Sequence, residues 1–376
     1  MKLSKKLLLI SIICISFLSQ AGCWDQKMYE NIGFILQMGI ETDVNGNLVL
    51  SVTSPVVSPD AEEKSEFLTT NAERLIRSSR ERLRDTSGRM LQGGKIQLLH
   101  FSKEIAEKKG INEFLDIFFR DPENPLLANI VIVDGSPREM MQISQSYKDK
   151  PRPAIYINNL LLDTRRRGRA PESRIYDFSI LSHSKSIDPV APIIRYDNEK
   201  IEATGTALFN GDRMVGQIDT RQTVLLIALL GRKNGIEYTY NRPLPGDKQE
   251  MITQGASLFF RNIKRKISIN VSGSEPVINI NMQMKTILDE YNWTDNLDKN
   301  EKEKKLEQTI SNSVRSECKQ LLSYLQGIGS DPLGFGEIVR VKNNKYWKKV
   351  NWKDAYKSAK INVNVKVNIE SYGTLG

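Results

Sequence analysis

Ile361-Asn362-Val363-Asn364-Val365-Lys366-Val367-Asn368-Ile369-Glu370 decides the fold class. Apolar and polar residues alternate without a break, so a strand here has one apolar and one polar face. Ile278, Ile280, Met282 and Met284 alternate in the same way with Asn279, Asn281, Gln283 and Lys285, and Ile267, Ile269 and Val271 alternate with polar neighbours. Three such segments predict an antiparallel sheet with one polar side. Between the second and third the period changes. Leu306, Ile310, Val314, Cys318, Leu321, Leu322 and Leu325 recur at helical spacing, which predicts a long helix from about residue 297 to 325 that covers the apolar face of the strands. Cys318 on that stripe is expected to be a buried core residue, not a reactive thiol.

Towards the N-terminus, residues 242–246, with Pro243 and Pro245, read as a boundary, and the Ser- and Pro-rich residues 182–192 as another. Between them, 201–209 and 214–217 predict a hairpin around Asn210-Gly211, followed by an apolar helix over 220–230. The first part of the chain mixes strands and helices. Residues 31–40 and 48–57 predict a hairpin with Asn45-Gly46 as its turn. Asp43, Asn45 and Asn47 resemble a calcium loop, but Leu48 stands where that loop needs Gly and Ser54 where it needs Glu. Pro55, Pro59 and the acidic residues 60–66 predict a loop. A helix follows, with Ala72, Leu75, Ile76, Ser79 and Leu83 on one face and Arg74, Arg77, Arg80, Arg82 and Arg84 on the other. That basic face reads as solvated, with an anion-binding surface as the alternative. Residues 96–101 predict a strand, Ser102 a helix N-cap, and 110–119 a helix with Ile111, Phe114, Leu115 and Phe118 on one side. The apolar run 126–133 predicts a strand buried on both faces. Arg165-Arg166-Arg167-Gly168-Arg169 reads as an exposed loop, with contact to lipid head groups or an acidic partner as the alternative. The expected fold is α+β, in three domains with mixed or antiparallel sheets and packed helices. These are an N-terminal α+β domain over 23–186, a small middle domain over 187–246, and a C-terminal domain of antiparallel sheet plus long helix over 247–376.

The first 22 residues stand apart. Lys2, Lys5 and Lys6 precede an apolar run over residues 7–18 that is too short for a bilayer, which needs about 20 apolar residues. Basic residues and then a short apolar run describe a secretory signal. Ala21-Gly22-Cys23 after such a run resembles the lipobox of bacterial lipoproteins, although Gln20 stands where Leu is usual. The resemblance implies that residues 1–22 are a lipoprotein signal peptide. Cys23 then becomes the first mature residue and carries S-diacylglycerol and N-acyl groups; the alternative is ordinary secretion with a plain thiol. Two diacylglycerol chains, at about 0.8 kcal/mol per buried CH2, anchor more firmly than the single chain that binds reversibly.

Removal of 1–22 takes three lysines and no acid, lowering the net charge from +9 to +6. That excess suits an anionic membrane surface, and no nucleic-acid-binding motif accompanies it. Of the three cysteines, Cys14 leaves with the leader and Cys23 takes the lipid, so Cys318 has no disulfide partner within the mature chain. No other apolar run approaches membrane-spanning length, so the body is expected to be soluble.

Catalytic and cofactor motifs do not appear. His100 and His183 are the two histidines, and no Cys-x-x-Cys, His-Glu-x-x-His, Gly-x-Ser-x-Gly or phosphate-binding loop occurs. Gly334-Phe335-Gly336 leads into the strand-like Ile338-Val339-Arg340-Val341, whereas a dinucleotide loop opens a helix. No catalytic, cofactor-binding or metal-binding residue is therefore assigned.

Four stretches together resemble the Ger(x)C lipoproteins, the C subunits of spore germinant receptors. The first is Gly22-Cys23-Trp24-Asp25 with Ile32-Gly33, and the second runs from Glu113 through Phe118-Phe119-Arg120-Asp121-Pro122. The third is Gly205-Thr206-Ala207-Leu208-Phe209 with Met214-Val215-Gly216. The fourth is Asp331-Pro332-Leu333-Gly334-Phe335-Gly336, then Tyr346-Trp347, Trp352 and the closing strand to Gly373. Lys95 departs from a common His. The resemblance implies a three-domain α+β, non-enzymatic subunit. It would be lipid-anchored on the outer face of the spore inner membrane and would assemble with two integral membrane subunits, of A and B type. A solute-binding lipoprotein of a transporter is the alternative. It would show two α/β lobes around a cleft, which the alternating C-terminal strands disfavour. An anchored hydrolase is disfavoured by the missing motifs.

Overall fold

The computed structural model describes residues 31–56, 65–73, 75–197, 200–241, 255–273, 275–292 and 300–372. Strands β1 (Ile32–Phe34), β2 (Gln37–Thr42), β3 (Leu48–Pro55) and β4 (Ser65–Glu73) come first. They are followed by α1 (Ile76–Ser87), β5 (Met90–Gln92), β6 (Leu98–Ser102), α2 (Lys103–Lys108) and α3 (Asn112–Arg120). Then come β7 (Asn129–Val133), α4 (Pro137–Ser146), α5 (Pro153–Arg166), α6 (Ile175–Ser182), β8 (Val190–Tyr196), β9 (Ile201–Asn210) and β10 (Arg213–Asp219). Helix α7 (Thr220–Leu229) and β11 (Ile236–Asn241) lead to β12 (Gly255–Asn270), β13 (Val277–Tyr291) and α8 (Asn300–Ile328). Three short helices, α9 (Phe335–Lys342), α10 (Asn344–Trp347) and α11 (Trp352–Ser358), precede the last strand, β14 (Lys360–Ser371).

Among the described residues the strands form an eight-stranded sheet, a four-stranded sheet and the pair β1-β5. The larger has the order β10-β9-β8-β7-β6-β2-β3-β4 and the smaller β11-β12-β13-β14. Both sheets are mixed, and the architecture is α+β. At the β2-β3 turn, Asp43 accepts from the N–H of Asn45 at 2.9 Å and of Asn47 at 2.8 Å, and Gly46 has φ 80°. The apolar run at 126–133 supplies β7, which lies between β6 and β8 with every residue after Asn129 buried. Ser102 caps α2 by accepting from Ile105 N–H at 3.3 Å.

Several local expectations are corrected. Residues 31–40 form two strands, because the chain changes sheets at Ile35 and Leu36, whose N–H groups bond Gln92 and Thr53. Ala72 lies in β4, and the helix begins only at Ile76; Pro59 and the acidic residues before Ser65 lie outside the described residues. The arginine-rich stretch is not an exposed loop: α5 continues to Arg166. Its basic last turn faces the negative helix end, Arg167 pairs with Asp163, and Gly168 at φ 76° ends the run. Arg165 is packed between Glu172, 2.7 Å away, and Asn129, 3.3 Å away.

Residues 187–246, expected as a separate middle unit, are divided between the two sheets. Strands β8, β9 and β10 complete one side of the eight-stranded sheet, and β11 is an edge of the other. Period two explains the sharing. On β9, Ala207 and Phe209 enter the core of the first half, and Leu208 enters the core of the second. Helix α7 is buried continuously from Thr223 to Leu229. The expected boundary at 242–246 lies outside the described residues.

In the C-terminal part the predicted helix stripe is fully buried, from Leu306 to Leu325, and Cys318 has no exposed surface. Its sheet is not wholly antiparallel. Strands β11, β12 and β13 are antiparallel, but β14 pairs parallel with β13, placing Asn279 opposite Asn362 and Met282 opposite Val365. Alternation reports which face is buried, not strand direction. The intervening helices form the long crossover that parallel neighbours require. Ile338 to Val341 belong to helix α9, not to a strand. The cause lies upstream: Gly334 at φ 66° turns the chain, and the Asp331 carboxylate accepts the first N–H groups of the helix.

Candidate functional site

The most completely built polar cluster lies where residues 186–188 meet residues 329–353. Asp331 is 3% exposed. Its Oδ1 accepts from Phe335 N–H at 3.0 Å, and its Oδ2 from Gly336 N–H at 2.9 Å and Trp352 Nε1 at 3.0 Å. Burial raises its pKa to about 6 while those donors pull it down, so the group is a carboxylate at neutral pH. The Asp331 backbone N–H donates to Asp188 Oδ2 at 2.9 Å, and Asp188 N–H returns a bond to Asp331 O at 3.1 Å. Asp188 Oδ1 accepts from Gly211 N–H at 2.7 Å in the β9-β10 turn, and burial raises the pKa of this acid also. Beside them, Ser186 Oγ donates to Glu337 at 2.7 Å. Hydrogen bonds from Arg340 first and Ser186 second hold Glu337 down at about 2. Asn210 donates to Gly329 O at 2.9 Å and accepts from Lys353.

This arrangement is a clasp. Asp331 and Asp188 face backbone N–H groups and the Trp352 indole, and Glu337 faces the Ser186 hydroxyl and the Arg340 guanidinium. Residues 331–336 form a tight turn. Gly336 is required there because a Cβ would sit 2.5 Å from Trp352 Nε1 and 2.7 Å from Ser186 O. Sequence reading missed Asp188, which lies in a stretch taken for a boundary and is 143 residues from its partner Asp331.

Two further contacts lie outside this cluster: the first joins α7, β11 and α8 within the second half, and the second ties that half to the end of α5. Arg221 on α7 bonds Glu317 on α8 at 2.9 Å, and Tyr238 donates to the same carboxylate at 2.7 Å. Arg232 donates to the carbonyl oxygens of Arg165 and Arg166.

The histidines occupy structural positions. His100 is buried, with Nε2 3.1 Å from Gln37 Oε1, and burial lowers its pKa to about 3. His183 caps α6 through Nδ1, 2.7 Å from Ser179 O. Among the described residues no group of three or more His, Cys, Asp or Glu side chains could hold a metal. A cavity of about 450 Å³ lies between α1 and α3, lined by Ile76, Phe114 and Ile117 and by Arg80, Asp121 and Arg120. Arg80, predicted on a solvated face, instead lies in this cavity, 11% exposed and 3.5 Å from Asp121. Cys23 lies outside the described residues. No helix among the described residues is long and apolar enough to cross a membrane.

Comparison with known proteins gives the family. Residues 25–196 match the family described as "Spore germination protein N-terminal domain", and residues 204–373 match "Spore germination B3/ GerAC like, C-terminal". The chain is 24% identical to the spore germination protein GerQC of Bacillus cereus over 360 residues, covering 94% of this chain and 95% of that protein. It is 22% identical to the spore germination protein YndF of Bacillus subtilis (strain 168), covering 100% of this chain and 98% of that protein. The crystal structure of the GerBC protein shares the fold with a TM-score of 0.56 at 16% identity, covering 89% of this chain and 96% of the other. The two family segments meet in the β8-β9 hairpin, and the second supplies the strands that complete the sheet of the first. With both halves matched in order along nearly all its length, the chain belongs to the Ger(x)C family of spore germination proteins.

Proposed function

We propose that this protein is the C subunit of a nutrient germinant receptor. In this reading it is a non-enzymatic lipoprotein held through Cys23 on the outer face of the spore inner membrane. It acts by assembling with two integral membrane subunits of A and B type. The observation that carries this reading is the pair of family matches over 25–196 and 204–373. The lipobox-like Ala21-Gly22-Cys23 supports the anchor. The clasp around Asp331 and the shared strands β8 to β10 support a body that presents its surfaces in a fixed relation. An anchor confines the protein to a thin layer, which raises its effective concentration toward membrane-embedded partners and lets a modest interface suffice.

Deletion of the gene, followed by a germination assay with candidate nutrients, tests the role. Loss of the response to at least one nutrient is expected, and an unchanged response to all of them overturns the reading. For the anchor, Cys23→Ala should abolish fatty-acid labelling and reduce recovery with the membrane subunits after detergent extraction, at an unchanged unfolding midpoint. Equal labelling of the variant overturns the assignment of Cys23. Equal assembly and germination show that proximity is not what the lipid supplies.

A further inference from the structure

Residues 338–353 run from α9 through α10 to the start of α11. They carry Arg340, Lys342, Lys345, Lys348, Lys349 and Lys353 and no acidic residue. The chain from Cys23 onward has a net charge of +6, so this stretch alone holds as much positive charge as the whole body has in excess. All six side chains are exposed. Arg340 pairs with Glu337 and Lys353 donates to Asn210, but Lys342, Lys345, Lys348 and Lys349 form no salt bridge among the described residues. Val341 is 65% exposed in their midst, and Tyr346 and Trp347 are half-buried beside them. Unpaired lysines interleaved with amphipathic rings and an exposed aliphatic side chain are the composition of a membrane-interfacial surface.

Sheet topology places this surface where the anchor leads. Strands β2, β6 and β7 are parallel and in register from Gln37, Leu98 and Asn129, so the chain enters the large sheet at their common end. Strand β8 runs parallel to β7, and the antiparallel β9 therefore finishes, at Asn210, at that same end. The bonds from Lys353 to Asn210 and from Asp331, the cap of α9, to Asp188 beside that turn fix α9–α11 there. Four strand spacings separate β2 from β9, a lateral distance of about 19 Å. The eight residues 24–31 between Cys23 and β1 reach at most about 28 Å. A lipid on Cys23 thus holds this end of the sheet near the bilayer.

We propose that the α9–α11 surface rests on the anionic phospholipid head groups of the membrane into which the Cys23 lipid inserts. This rests on the anchored reading of Cys23. The lysines meet the phosphates, and Val341 and Trp347 meet the head-group boundary.

The test places a fluorescent probe on Val341→Cys, or on Val44→Cys in the β2-β3 turn at the opposite end of the sheet. Val44 is fully exposed. Cys318 is buried with its thiol pushed up to about 12 and does not compete for the probe. Full-length lipidated protein is placed in vesicles of phosphatidylglycerol and phosphatidylcholine containing a nitroxide lipid. Quenching is expected at position 341 and not at 44. The triple change Lys345→Gln, Lys348→Gln, Lys349→Gln should remove it while the protein still sediments with the vesicles. Anchored protein quenched no more at 341 than at 44 overturns the surface and leaves Cys23 standing. A chain that carries no lipid and stays in the supernatant overturns the anchor instead. The surface is then read from Cys23→Ala protein binding to phosphatidylglycerol vesicles. Each lysine near an anionic surface is worth about fivefold in affinity, so about a hundredfold loss in the triple variant upholds the surface. Equal binding by the triple variant, or equal binding to pure phosphatidylcholine, overturns it.

Discussion

Trp352 Nε1 donates to Asp331 Oδ2 at 3.0 Å, closing a carboxylate that already accepts two backbone N–H groups from the start of α9. The indole thus completes the cap of one helix from the first residue of another. Gly336 lies directly beneath it.

Gly336→Val should lower the thermal unfolding midpoint, because a side chain there displaces Trp352 or the carbonyl of Ser186. Overpacking of this kind costs about 1–3 kcal/mol. Trp352→Phe keeps an aromatic ring but loses the indole N–H bond to a buried carboxylate, costing about 1.5–3 kcal/mol, with the smaller ring adding a loss of packing. A normal midpoint in Gly336→Val combined with lost germination would mark the turn as a contact surface instead.

Cys318 should resist alkylation in the native protein and react at once in denaturant, since the thiol has no exposed surface and burial pushes it up to about 12. Cys318→Ser places a hydroxyl on the apolar stripe of α8 and should cost about 1–3 kcal/mol in chemical denaturation. Rapid native labelling would refute the buried position.

His100 gives stability a pH dependence of known sign. Its folded pKa, about 3, lies below the ordinary 6.5, so the unfolded chain binds the extra proton between those values. Stability therefore falls as pH drops below 6.5, by at most about 1.4 kcal/mol per unit. Asp331 opposes this. Its folded pKa is raised, so it holds its proton more tightly in the fold and favours the fold as pH falls through 6. His100→Asn removes only the first effect. Unfolding midpoints from pH 7 to 4.5 should fall less steeply in the variant than in the parent; parallel profiles would exclude the histidine.

Arg221 and Glu317 join α7 to α8. Burial acts to raise Glu317, but bonds from Arg221 and Tyr238 outweigh it and hold the acid below its usual range. Its contribution is present above the unfolded pKa and is lost as pH falls through the lower folded one. Arg221 is 40% exposed, so solvent screening limits the pair to about 1 kcal/mol. A double-mutant cycle with Arg221→Ala and Glu317→Ala should return a coupling of that size, and zero coupling would remove the link.

What could be read in advance was what repeats locally. The period of Leu306 to Leu325 gives the buried stripe of α8, and Ser102 and Asn45-Gly46 give a cap and a turn, because each is decided within a few residues. Strand partners are decided elsewhere. Strand β14 alternates equally well in either direction, and only the crossover makes it parallel to β13. Ile338 to Val341 look like a strand because their helical start is set by Asp331, several residues upstream. Asp188 carried no local signal, since its partners Gly211 and Asp331 are distant in sequence. Among the motifs quoted for the family, the fourth now has a physical content: Asp331, Gly334, Gly336 and Trp352 are the parts of one clasp.

Strand β8 ends the first family segment, yet it is an interior strand only because β9 lies against it. A fragment stopped at residue 196 would present the bare backbone of β8 to solvent, a template on which a second fragment could add its own strand. Such halves would be expected to clump or trade strands with one another before they behaved as separate modules. The two regions match separate family descriptions, but the hydrogen-bond ladder runs straight across the line that divides them, so the sheet is complete only when both are present.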